Sequence, residues 1–201
     1  MEIKFDAKFT TQKNMKIILD TLDELLNMYP CVQVNTIGDI YSRDGEYNNK
    51  LGYSAQYFVN DRAIWVNTFN EFREHYITLN KREKKFKTIE IRKNINKDLL
   101  KYVEPFDVLG GSDLVSVIYH EFGHVLEHQL NICEIKEVIN IFSNLSKENL
   151  EKKLSIYAAK NISEFIAEAF TESMFENSRY LGIKMRGIID NAYLEKSNTK
   201  F

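Results

Sequence analysis

The sequence predicts an α+β fold, on three observations. A stretch with helical spacing opens the chain, short runs of strand formers follow it, and from Ser112 onward the pattern is helical again. A small mixed β-sheet packed on one of the later helices accommodates all three. With 201 residues, 44% hydrophobic and 28% charged, the chain can bury a real core and needs no second domain. Residues 1–201 are therefore expected to form one domain, with an insertion at about 72–110.

The elements follow in order. Ile17, Ile18, Leu22, Leu25 and Leu26 recur at helical spacing within 11–28, which predicts a first helix ending before Pro30. Residues 31–34, Cys-Val-Gln-Val, alternate apolar with polar and read as a strand. Residues 55–59 and 63–67 are rich in strand formers, and Asn60-Asp61-Arg62 between them suggests a hairpin. Residues 42–49 are polar and turn-forming, a surface loop. Nine Lys or Arg lie between Lys81 and Lys101, yet Glu83, Glu90 and Asp98 interrupt them and no aromatic stacking series accompanies them. That stretch reads as a solvated insertion containing a short strand. Helices are then expected over 113–130, with Ser112 as its N-cap, over 135–145 and over 163–176.

Charge and composition exclude several function classes. The 27 Lys plus Arg against 29 Asp plus Glu leave a net charge of -2, so no global basic field argues for nucleic acid or an anionic membrane. The N-terminus, Met1-Glu2-Ile3-Lys4-Phe5-Asp6, has acids where a secretory signal has a basic segment. No apolar stretch approaches the roughly 20 residues of a membrane span, since even 114–126 contains His120, Glu121 and His124. Cys31 and Cys133 are too few for a disulfide framework, although a single bridge is available, and they suit a reducing compartment. A cytoplasmic protein is expected.

The helix over 113–130 contains His120-Glu121-Phe122-Gly123-His124, an HExxH pattern. Two His four residues apart share a helix face, so both imidazoles can reach one ion, and Glu121 can touch a water on it. A catalytic zinc takes three protein ligands and keeps a position for water, so a third ligand is needed. His128 lies eight residues beyond His120, about 12 Å along a straight helix, too far for one ion to join both. A better candidate is Glu164, in Ser163-Glu164-Phe165-Ile166-Ala167-Glu168-Ala169-Phe170. Glu164 and Glu168 share a face bordered by apolar residues and need partners if buried. A metal would partner Glu164, and a ligand imidazole would partner Glu168. The same spacing equally suits an exposed acidic pair.

These residues resemble the lethal-factor-like zincins, which include Pro-Pro endopeptidases and phage head-associated proteins. In that family an HExxH helix is followed some forty residues later by a Tyr, a short polar gap and a helix of the form E-F-F-A-E-A-F. Here Tyr157 stands seven residues before Glu164-Phe165-Ile166-Ala167-Glu168-Ala169-Phe170. The segment Gly110-Gly111-Ser112-Asp113 is similar to the small-residue turn of the phage-associated members. The resemblance is carried mostly by 114–170. It implies a zincin-like domain whose sheet packs on the HExxH helix and whose C-terminal ligand helix closes the site. It further implies zinc on His120, His124 and Glu164, Glu121 as general base, Tyr157 as transition-state donor and Glu168 behind a ligand imidazole.

The expected function is zinc-dependent hydrolysis of peptide bonds, with a protein or peptide as substrate and neither nucleic acid nor membrane as partner. The alternative the resemblance implies is a phage or prophage structural protein, virion-associated, that keeps its zinc for stability and has phage structural proteins as partners. A toxin acting on a host protein would share the chemistry. A peptide substrate would lie extended along a sheet edge, for which residues 63–68 are the expected strand and 55–59 the strand beside it.

Overall fold

A computed structural model describes residues 3–6, 12–39, 55–66 and 114–198. The expected loop at 42–49, the insertion at 72–110 and the Ser112 cap lie outside them. The described residues form four strands and six α-helices, an α+β arrangement. In chain order they are β1 (Lys4–Asp6), α1 (Gln12–Met28), β2 (Thr36–Asp39), β3 (Ala55–Phe58), β4 (Ala63–Val66), α2 (Leu114–Leu130), α3 (Lys136–Asn144), α4 (Lys147–Lys153), α5 (Ile162–Ser173) and α6 (Tyr180–Asn198).

The sheet order is β1-β2-β4-β3. β1 and β4 each run parallel to β2, whereas β3 is antiparallel to β4, with Gln56 opposite Trp65 and Phe58 opposite Ala63. β3 and β4 are the expected hairpin, and Arg62 closes their turn at φ 48°. Two expectations are corrected here. Residues 31–34 form no strand: Val32 and Val34 are buried and Gln33 is exposed, as the alternation requires, but the ladder begins at Thr36. The amide of Gln33 is taken instead by the Gln129 side chain at 2.9 Å. The edge strand is also not 63–68. β4 lies between β2 and β3, and among the described residues β3 pairs with β4 alone.

α1 buries Ile18, Leu22 and Leu25 on one stripe and stops short of Pro30. α2 is buried on several sides at once: Ile118, Phe122, Val125 and Leu126 are enclosed among the sheet, α1 and α5. α5 is the innermost helix, with every residue from Phe165 to Glu172 buried. Its start is defined by Asn161, extended at φ -163°, whose side-chain oxygen accepts the Glu164 amide at 2.9 Å. The Tyr29 ring packs against Phe122, Phe170 and Tyr193 at centroid separations of 6.1, 6.2 and 5.2 Å, joining the end of α1 to α2, α5 and α6. Burying each such ring contributes roughly 1.5–3 kcal/mol.

At the far end of α5, Glu172 is 0% exposed. Arg179 satisfies it, its backbone amide at 2.8 Å and Nε at 2.7 Å from Oε1, with a further guanidinium contact to Oε2. The same guanidinium donates to the Leu154 carbonyl at 2.8 Å. The turn between α5 and α6 is thereby tied to the loop that carries Tyr157. Both cysteines are free thiols. No described helix is long and apolar enough to cross a membrane.

Candidate metal centre

α2 presents His120 and His124 on one face, and the first turn of α5 presents Glu164 opposite them. His120 Nε2 and His124 Nε2 are 3.2 Å apart, and Glu164 Oε2 is 3.1 Å from the first and 3.4 Å from the second. Three donors bonded to one tetrahedral zinc at about 2.0 Å stand about 3.3 Å apart, so the triangle fits that ion without rearrangement. Among the described residues no fourth Cys, His or acid joins the group.

The outward nitrogen of each imidazole is held as well. His120 Nδ1 is 2.7 Å from Glu168 Oε1. The other Glu168 oxygen accepts the Ser155 hydroxyl at 2.6 Å, and Ser155 in turn accepts the Ala158 amide at 2.9 Å. His124 Nδ1 is 3.1 Å from the Ser163 hydroxyl, which donates to Glu127 Oε2 at 2.8 Å. Both rings therefore turn Nε2 to the triangle and place Nδ1 against a group that can accept its hydrogen, the placement a ligating histidine needs.

Electrostatics reinforce the arrangement. Burial works against a charge on His120, but hydrogen bonds to Glu164 and Glu168 outweigh it and hold its pKa up at about 10. Burial also opposes charge on Glu164, yet the two imidazoles pull its carboxyl down to about 2. His124 is raised against its burial by Glu127 and Glu164. Glu127 is lowered despite burial by the His124 ring 3.8 Å away and by hydrogen bonds with Ser163 and Cys133. Glu121, 6% exposed, is pushed above the usual carboxylate range by burial, while His120, His124 and a hydrogen bond from the Tyr57 backbone amide pull the other way. Clustered carboxylates of this kind need positive charge, which protons on the imidazoles or a metal can supply.

The two expected glutamates thus stand in different places: Glu164 at the triangle and Glu168, 7% exposed, behind His120. They are not an exposed acidic pair. Tyr157 sits in the turn before α5, its ring edge-on to His120 with centroids 5.6 Å apart, and Lys160 Nζ lies 3.4 Å from the Tyr157 ring centre. His128 is exposed and outside the triangle, its ring 6.4 Å from that of Tyr57.

Four residues join the site that motif spacing does not reveal. Ser155, Glu127 and Ser163 act across elements, so no periodicity marks them. Gly123 does carry a signal. A glycine inside an otherwise well-formed helix costs about 1 kcal/mol relative to alanine, which calls for a packing reason. The reason is α5, whose Ala167 backbone lies against it. Comparison of the chain with protein-family models, with curated proteins and with solved structures finds no match.

Proposed function

We propose that the protein is a zinc metallopeptidase of the HExxH-plus-Glu type, built on a zincin-like domain. One observation carries the reading: three donor atoms meet at 3.1–3.4 Å with the Nδ1 of each imidazole set against a group that can accept its hydrogen, beside a buried Glu121 that is not one of the three. A structural zinc fills all four positions with protein donors, whereas this group offers three among the described residues. Zinc held there would polarise a carbonyl and lower the pKa of water to about 7.

The chain's own residues supply the rest. Glu121 takes the proton of the attacking water and passes it to the leaving amine, and its enclosure keeps it basic enough to do so. The Tyr57 amide fixes the orientation of that carboxyl. Tyr157, resting against His120, donates its phenol hydrogen to the oxyanion as charge develops. β3 stands at the edge of the described sheet, and an extended peptide adds to it by main-chain pairing. Glu168 and Ser155 keep His120 aligned throughout.

Incubation with a mixed peptide library, with and without chelator, tests the proposal. Cleavage that disappears with chelator and in Glu121→Gln is expected. A chain that binds zinc and leaves the whole library intact would instead favour the head-associated structural reading.

A further inference from the structure

From the geometry we infer that Ser163 and Glu127 are positioning residues for His124, acting as a two-member relay that fixes its tautomer and thereby sets metal affinity. The inference rests on the metal-centre reading above and adds residues to it.

A metal on His124 Nε2 sets the hydrogen-bond directions. With Nε2 bonded to it, Nδ1 carries the hydrogen and donates to Ser163 Oγ, 3.1 Å away. A hydroxyl has one hydrogen, and that of Ser163 goes to Glu127 Oε2 at 2.8 Å. Glu127 itself is 3.8 Å from Nδ1, beyond hydrogen-bond reach, so its hydrogen-bonded link to His124 runs through the serine. All three groups are partly buried. An unpaired hydroxyl or carboxylate there would be costly, so each holds the next in place.

The two imidazoles are therefore supported differently. His120 donates directly to a carboxylate at 2.7 Å, whereas His124 donates to a neutral hydroxyl backed by one. Ser163 also precedes Glu164, so a single helical turn carries both a metal donor and the group that orients the opposing histidine. Glu127 is three residues past His124 on α2, within reach of that turn. The relay thus crosses the α2–α5 interface beside the triangle.

The test is zinc affinity by chelator competition on the full chain, with the visible spectrum of the cobalt-loaded protein as a second readout. Ser163→Ala and Glu127→Gln should each weaken zinc binding about 10- to 100-fold and shift the cobalt bands, with the metal-free unfolding midpoint close to wild type. The double variant should be no weaker than Ser163→Ala, because both changes cut one chain. Ser163→Thr, which keeps the hydroxyl, should recover most of the affinity. Single variants within about twofold of wild type, in a protein that His124→Ala strips of zinc, would overturn the relay alone. Equal losses in Ser163→Ala and Ser163→Thr would also reject it, since packing would then be the cause. A wild-type chain without zinc affinity would remove the metal centre and the relay together.

Discussion

A Cβ placed on Gly123 would stand 2.7 Å from the Cα of Ala167, closer than unbonded carbons approach. α2 and α5 therefore touch backbone to backbone, at a point lying between the two histidines of one helix and the two glutamates of the other. The separation of Nε2 and Oε2 donors across that interface depends on this contact. Gly123→Ala should push α5 away, destabilising the fold by about 1–3 kcal/mol and weakening zinc binding roughly tenfold or more. Urea unfolding and a zinc titration measure the two effects, and wild-type affinity in a folded variant would count against the contact as the determinant.

One zinc per chain is expected on metal analysis. Alanine at His120, His124 or Glu164 should each remove most of it, whereas His128→Ala should keep it, because that ring lies outside the triangle. The reverse pattern would reassign the ligands.

Glu121→Gln should keep zinc and lose turnover by about a hundredfold or more, since an amide of the same shape cannot take a proton from water. Activity within about tenfold of wild type on any cleaved substrate would take Glu121 out of this role.

Tyr157→Phe keeps the ring against His120 and removes only the hydroxyl. A loss of about a hundredfold in kcat with zinc content intact is expected of an oxyanion donor. An unchanged rate would return Tyr157 to a packing role.

Proton linkage gives a fifth outcome. His120, raised from 6.5 to about 10, stabilises the metal-free fold fully below pH 6.5 and loses that contribution as pH rises through 10. Glu164, lowered from 4.5 to about 2, contributes above pH 4.5 and loses its share as pH falls through 2. A metal needs the imidazole bare, so zinc binding at pH 7 should release protons and tighten as pH rises. Calorimetry in buffers of different ionisation enthalpy checks this; heats that do not depend on the buffer would contradict it.

Much of the frame was legible because its signals are local. α1, the β3–β4 hairpin, α2 and α5 each carry a period or a turn that survives without tertiary context. β1 is three residues with Lys4 and Asp6 in it, too short and too charged to read as a strand. α6 buries Leu181, Met185, Ile188 and Ile189 but leaves Ile183 and Leu194 exposed, so its apolar residues encircle the helix and mark no single stripe. At 31–34 the alternation reported burial correctly and pairing wrongly, because a side-chain pattern says nothing about where backbone amides find acceptors. The site divides the same way. His120, His124, Glu164 and Glu168 are pairs on single helices, whereas Ser155, Glu127 and Ser163 matter only once α2, α5 and the loop before α5 meet.

The amide that pulls on the Glu121 carboxyl belongs to Tyr57 in β3, the outermost described strand beyond β4. Under the peptidase reading, selectivity and acid–base strength share one piece of backbone and cannot be adjusted independently. A change in β3 that admits a bulkier peptide also alters the carboxyl that must accept the proton. Lineages or engineered libraries that broaden specificity through this strand would therefore pay in rate, and compensation would have to come from the helix side of the cleft.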